Sequence, residues 1–139
     1  MPEINGIAHI QLTVTDMAHS VPFYTPLLEA MGMVAVIDRD TYYYGVGGRT
    51  AVAIAPAAEP APGDRFDQQR VGLHHVCFRA RARDDVDALF AVAESINATI
   101  VHGPQEDSYA PGYYSILFED PDGIRIEINH VPGRGLLTD

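Results

Sequence analysis

The sequence has little cysteine, few basic residues and no long apolar run. The single cysteine, Cys77, excludes an intramolecular disulfide and is typical of a reducing compartment. Nine Lys and Arg residues against 19 Asp and Glu give a formal net charge of −10, so the basic stripe that nucleic acids or anionic membranes require is absent. No apolar segment approaches the roughly 20 residues of a membrane helix, and the N-terminus has no signal-peptide pattern. We therefore expect a cytoplasmic globular protein with neither nucleic acid nor membrane as a partner.

A short motif occurs twice in the chain. Residues 6–12 (GIAHIQL) recur as 72–78 (GLHHVCF), and in both copies a histidine stands three positions after the glycine. The 139 residues leave room for only one domain, so the repeat indicates two halves of a single domain. These halves are a first module at 5–56 and a second at 71–131, joined by a Pro- and Ala-rich linker at 57–70 and followed by a tail at 132–139.

Hydrophobic periodicity predicts one helix and four strands in each module. Apolar residues at helical spacing predict buried helix faces formed by Val21, Tyr24, Leu27, Leu28 and Met31, and by Val86, Leu89, Phe90, Ala93 and Ile96. After the first strand and the helix, extended runs follow at 33–38, 41–46 and 50–55, and at 99–102, 113–119 and 124–130. The predicted fold class is therefore α+β, built from tandem βαβββ modules.

Strand alternation places a group of polar side chains on one face of the predicted sheets. Ile10 and Leu12 point towards the helices, so His9 points to the opposite face. By the same alternation His75 and Glu127 also lie away from the helix-packed core. Two imidazoles and a carboxylate form a ligand set for a divalent metal with open coordination positions. The alternative interpretation is a solvated sheet face, on which polar side chains are the default.

Four segments together resemble the vicinal oxygen chelate superfamily, which contains glyoxalase I, extradiol dioxygenases and bleomycin resistance proteins. They are GIAHIQLTVTD at 6–16, FYTPLLEAMG at 23–32, GLHHVCF at 72–78 and FEDPDGIRIEINHVPG at 118–133. The resemblance implies a curved mixed-sheet cup with helices on its outside and a divalent Fe, Mn, Zn, Ni or Co ion inside. It also implies that His9, His75 and Glu127 are the metal ligands.

Three departures from the family patterns separate this chain from individual activities. Members with four ligands carry Glu or Gln at the position that aligns here with Val52, or with Ala51 or Ala53 after a one-residue slip. None of these residues is a ligand, which leaves three ligands. Extradiol dioxygenases and thiol transferases resemble this three-ligand pattern, but Leu117 stands where both usually have a tyrosine. Gln11 stands where the thiol transferases have a threonine. No catalytic residue is therefore assigned.

The resemblance and the ligand set predict a metal-dependent enzyme acting on a small bidentate oxygen substrate, of dioxygenase, lyase, isomerase or thiol-transfer type. The alternative is a non-enzymatic protein that sequesters a drug, as bleomycin resistance proteins do, and the net charge of −10 would suit a cationic drug.

Several further residues carry predictions of their own. Gln11, Tyr113 and Arg125 are candidate substrate-binding residues, because Tyr113 flanks a loop expected at the cup mouth and Arg125 lies one pleat from Glu127. His74 is expected to face the helices as a structural histidine, and Cys77 to be a small buried hydrophobe.

Open sheet edges predict a homodimer, since a βαβββ module leaves strand edges unpaired. The apolar pair Leu136–Leu137 in the tail would then dock on the neighbouring chain. The alternative for this segment is a frayed terminus.

Overall fold

The computed structural model describes residues 1–137 of the chain. The chain divides into two compact units, Met1–Asp64 and a second unit that begins at Arg65, so the boundary falls inside the predicted linker. The two last residues of the predicted tail, Thr138 and Asp139, lie outside the described residues. Each unit has one helix and four strands in a mixed sheet, which confirms the α+β class and the βαβββ order.

The first unit follows its predicted order closely. Its elements are β1 (His9–Val14), α1 (Met17–Ala30), β2 (Val34–Arg39), β3 (Tyr42–Gly47) and β4 (Thr50–Pro56). The sheet order is β1-β4-β3-β2, with β1 parallel to β4 and the other pairs antiparallel. Helix α1 packs on β2, β3 and β4. A parallel pair needs a long crossover, and here α1 begins that crossover.

The second unit repeats the arrangement. Its elements are β5 (Val76–Arg79), α2 (Arg83–Ser95), β6 (Thr99–Asp107), β7 (Tyr113–Glu119) and β8 (Arg125–His130). The sheet order is β5-β8-β7-β6, with β5 parallel to β8. Helix α2 packs on β6, β7 and β8. One strand is longer than predicted: β6 continues from residue 102 to Asp107. It passes Pro104 because it lies at the sheet edge, where a missing N–H costs no ladder bond.

An acidic side chain accepts a backbone hydrogen bond at the start of each helix. The Asp16 side chain accepts a hydrogen bond from the Ala18 N–H at the start of α1, and Asp85 accepts one from the Ala82 N–H at the start of α2. Helix α1 continues through Pro22 and Pro26. Its buried face is rotated from the prediction, since Phe23 is buried and Val21 is only half-buried.

Each unit has its own apolar core between its helix and its sheet. The first core contains Leu12, Val14, Met17, Phe23, Tyr24, Leu27, Leu28, Met33, Tyr43, Ala51, Val52, Ala53 and Ile54. The second contains Val76, Val86, Leu89, Ala93, Ile116, Phe118, Ile124, Ile126 and Ile128. Within residues 1–137, no helix is long and apolar enough to cross a membrane.

Replacing Val52 with Ala tests the first core, because Val52 is 2% exposed between α1 and its sheet. We expect a loss of about 2–3 kcal/mol in the free energy of unfolding, from lost apolar transfer plus the cavity left behind. Urea unfolding measures it. The matched control is Val36→Ala on edge strand β2, where the side chain is 62% exposed and the change should stay within about 0.5 kcal/mol. Equal losses in both variants would contradict this assignment of the core.

Candidate functional site

The parallel pairing of β5 and β8 brings His75 beside Glu127. In this pairing Cys77 is the register partner of Glu127, and His75 lies one residue before β5 begins. The His75 Nε2 atom lies 3.2 Å from the Glu127 Oε2 atom. The prediction that these two side chains share a face is confirmed.

Tyr113 holds the second oxygen of the same carboxylate. Its hydroxyl donates a hydrogen bond of 2.5 Å to Glu127 Oε1. On β7, Leu117 is the register partner of Glu127. Tyr113 lies four residues before Leu117, on the same face of the strand, and its long side chain reaches the carboxylate from there. Burial, and then the hydrogen bond to Glu127, raise the pKa of the Tyr113 hydroxyl above its usual value. The hydroxyl therefore stays protonated and remains a donor at neutral pH.

Cys77 differs from its prediction as a buried hydrophobe, because the residue as a whole is exposed. Its thiol nevertheless lies in a desolvated place beside Glu127. Burial first, and the negative charge of Glu127 second, raise the pKa of the Cys77 thiol to about 12. At neutral pH the sulfur is therefore a protonated thiol and not a thiolate.

His74 does not face the helix as predicted. The residue is exposed, and its Nδ1 atom lies 2.9 Å from the Nδ1 atom of His75. The two rings meet edge to face, with centroids 5.1 Å apart. The prediction was wrong because strand alternation does not hold for residues 73–75. They precede β5 and do not have the pleated backbone that alternation requires. In this place the His74 ring orients the His75 ring through its second nitrogen.

A cavity of about 470 Å³ opens on this face of the second unit. Its walls are formed by His74, His75, His102, Gln105, Asp107, Tyr109, Tyr113, Ser115, Leu117, Arg125 and Glu127. The volume lies within the range of sites for small organic ligands. The predicted substrate-binding residues Tyr113 and Arg125 both line the cavity.

Three residues of the cavity wall were not found from the sequence. His102, Gln105 and Asp107 all lie on β6, beyond or at the end of the predicted strand. The predicted strand ended at residue 102, whereas the observed strand continues past Pro104 with two register shifts between β6 and β7. Bulges are common at sheet edges, so an edge strand can extend across these residues despite Gly103 and Pro104.

The first unit presents His9 and Gln11 on the exposed face of β1, as alternation predicts. The Tyr42 hydroxyl donates to Gln11 Oε1 at 3.3 Å, and the Tyr42 and Tyr44 rings stack with centroids 6.2 Å apart. The Tyr44 ring centroid lies 6.3 Å from that of His9. Among residues 1–137, no group of three or more His, Cys, Asp and Glu side chains is placed to hold a metal ion. His75 and Glu127 are brought together in the second unit, and His9 belongs to the first unit.

The strand registers show which positions of the two units correspond. Gln11 pairs with Ala53 as Cys77 pairs with Glu127, so Ala53, and not Val52, is the counterpart of Glu127. Val52 is buried in the core of the first unit. Neither residue supplies a ligand atom, so the first unit carries no counterpart of the Glu127 carboxylate.

His75 and Glu127 fit a divalent metal. Ligand bonds of about 2.0–2.2 Å place neighbouring donor atoms about 3.0 Å apart in an octahedral site and about 3.4 Å apart in a tetrahedral one. The Nε2–Oε2 distance of 3.2 Å lies between these values. Tyr113 leaves Oε2 available by hydrogen bonding to the other oxygen, an arrangement typical of supported metal ligands.

Comparison with known proteins gives related sequences. An uncharacterized protein of Bacillus subtilis (strain 168), YqjT, is 26% identical over 121 residues, which cover 86% of this chain and 94% of YqjT. The metallothiol transferase FosB of Shouchella clausii (strain KSM-K16) is 27% identical over 126 residues, covering 91% of this chain and 80% of FosB.

Solved structures share the fold. The glyoxylase/bleomycin resistance protein/dioxygenase domain from Frankia sp. EAN1pec superposes with a TM-score of 0.77 and 26% sequence identity. The match covers 92% of this chain and 98% of that one. The family model for the Glyoxalase/Bleomycin resistance protein/Dioxygenase superfamily matches residues 6–128. With that match spanning both units, the chain belongs to the Glyoxalase/Bleomycin resistance protein/Dioxygenase superfamily.

Proposed function

We propose that this protein is a divalent-metal-dependent enzyme that acts on a small substrate with two neighbouring oxygen donors. The observation that carries the proposal is the His75–Glu127 pair, with donor atoms 3.2 Å apart at the wall of a cavity of ligand size. When bound, a divalent Fe, Mn, Zn, Ni or Co ion would supply a Lewis acid or oxygen-activating centre. The protein residues orient the ligands and enclose the substrate.

His9 is the proposed third ligand. It occupies the position of the first module that corresponds to His75 in the second, and it lies on the exposed face of β1. Three protein ligands leave up to three positions of an octahedral ion open, enough for a chelating substrate and a further small molecule.

The reaction class follows from the ligand number. Because Ala53 stands opposite Gln11 where a fourth ligand would be, a second metal-bound carboxylate is not available to move a proton. The three-ligand set supports a dioxygenase or thiol-transfer reaction over that of glyoxalase I. The name of the Shouchella clausii relative, a metallothiol transferase, supports the thiol-transfer class.

Removing a ligand should abolish tight metal binding. For His75→Ala, Glu127→Gln and His9→Ala we expect metal affinity to fall by more than about 100-fold, because even residues that only support a ligand account for 10–100-fold. Calorimetric titration of the metal-free protein with Fe(II), Mn(II), Ni(II) and Zn(II) measures the affinity, and elemental analysis gives the stoichiometry.

The matched control for these variants is His19→Ala, because His19 is exposed and pairs with Asp16 on α1. It should bind metal as the wild type does. If the wild type binds none of the four metals more tightly than His75→Ala, the metal proposal is wrong. Small-molecule binding that persists unchanged in His75→Ala would then favour the sequestering alternative.

Tyr113→Phe should weaken metal binding without removing a ligand. The variant loses the hydroxyl that donates to Glu127 Oε1, so the carboxylate is no longer held with Oε2 towards the metal. We expect about a tenfold loss of metal affinity by the same titration. Tyr114→Phe is the control, because the neighbouring Tyr114 hydroxyl donates to Asp87 instead. Equal affinities in the two variants would contradict a supporting role for Tyr113.

We also propose a homodimer. Leu136 and Leu137 are strongly exposed, as are Ile4 and Ile7 near the first strand, and a second copy would bury apolar surface of this kind.

Light scattering at micromolar concentration tests the homodimer. We expect a mass near 30 kDa, about twice the 15.2 kDa chain. Leu136→Ser combined with Leu137→Ser should shift the mass towards the monomer, since these side chains would lose their apolar contacts. Elution of the wild type at 15 kDa would rule the stable dimer out.

A further inference from the structure

Arg125 is the cationic residue of the cavity wall whose charge does not depend on pH. It lies on β8 two residues before Glu127, so both side chains project from the same face of the sheet. That spacing corresponds to about 7 Å along the strand. The other groups of the wall able to carry positive charge are the imidazoles of His74, His75 and His102.

Glu119 fixes the Arg125 side chain at one edge of the guanidinium. Glu119 and Arg125 are register partners, and Arg125 Nε donates to Glu119 Oε2 at 3.3 Å. This contact uses one of the five guanidinium N–H donors, and within residues 1–137 the acceptor of this hydrogen bond is Glu119. The terminal NH₂ groups, the part that binds carboxylates in a fork, remain for a ligand.

A second arginine already satisfies the Glu119 carboxylate. Arg65 donates through Nη2 to Glu119 Oε1 at 2.9 Å, and it is held in place because the Phe66 N–H donates to the Asp122 carbonyl oxygen. Two guanidinium groups therefore meet one carboxylate that is mostly buried, with 16% of its side chain exposed. The cluster keeps one net positive charge at this end of the cavity.

The negative groups of the cavity lie elsewhere. Asp107 is the register partner of Tyr113, six residues or about 20 Å along β7 from Glu119, and it accepts hydrogen bonds from Gln105 Nε2. Glu127 is nearer, but His75 lies 3.2 Å from its Oε2 atom. The cavity thus has a cationic end at Arg125 and an acidic end at Asp107.

We infer that the ligand of this cavity carries an oxyanion group, a carboxylate or phosphate, that binds to the Arg125 guanidinium. The inference rests on the proposed function, since it names the substrate class of the same cavity. A substrate that chelates a metal held by His75 and Glu127 would direct its anionic group towards Arg125, which lies on the same face of β8 and lines the same cavity. Glu119 is the positioning residue for Arg125.

A matched pair of probes tests this inference on metal-free protein, so that chelation contributes nothing. Phenylacetate carries the oxyanion and phenylacetamide is its neutral counterpart. After metal removal on a chelating resin, NMR titration of the ¹⁵N-labelled full chain measures both affinities. The Arg125 Nε–H signal reports directly on the guanidinium. We expect saturable phenylacetate binding that moves this signal, and at least tenfold weaker binding of the amide.

Arg125→Gln should weaken phenylacetate binding at least tenfold, and Arg125→Lys should retain part of the affinity because it keeps the charge without the fork. Arg49→Gln in the first unit is the charge-matched control and should bind as the wild type does. Equal affinities for acid and amide in the wild type would overturn the inference without any variant. So would unchanged binding in a folded Arg125→Gln.

Metal titration of Arg125→Gln separates this inference from the proposed function. The variant should keep wild-type metal affinity, since Arg125 is not a ligand. Metal binding without Arg125-dependent anion binding overturns the oxyanion site alone. Arg125-dependent anion binding in a protein that holds no metal overturns the metal centre alone.

Discussion

The parallel pairing of the first strand of each unit with its last strand is the constraint on which the site depends. In the second unit the β5–β8 register sets Cys77 opposite Glu127 and places His75 next to the carboxylate, although 52 positions separate the two residues in the chain. The crossover through α2, β6 and β7 returns the chain to that position. A shift of one residue in the register would turn Glu127 towards the helix, where a carboxylate has no water and no partner.

The two units use the same framework with different side chains. The first unit keeps a histidine and places Tyr44 where the second has Leu117, but it has Ala53 in place of Glu127. The second unit has both the histidine and the carboxylate, and the Tyr113 hydroxyl at the start of β7 donates to that carboxylate. A carboxylate partner of the repeated histidine is therefore present in one half of the repeat only.

Much of the fold and part of the site could be predicted from the sequence, because both depend on period-two alternation and on the repeat. Alternation was enough to place His9 and Glu127 on the faces away from the helices, the repeat identified His75 as the counterpart of His9, and the turn residues defined the β7–β8 turn. It failed where the backbone is irregular. His74 precedes the strand, and the bulged edge of β6 carries His102, Gln105 and Asp107 into the cavity. The reach of the Tyr113 side chain to Glu127 depends on three-dimensional distances that alternation does not contain.

The environment of Cys77 has a consequence for oxidative damage. Burial and the charge of Glu127 raise the pKa of the Cys77 thiol, so the sulfur is protonated at neutral pH, and the thiolate is the form that peroxides attack. The one sulfur of the chain that can form sulfenic acid thus lies beside the candidate metal ligands in its least reactive form.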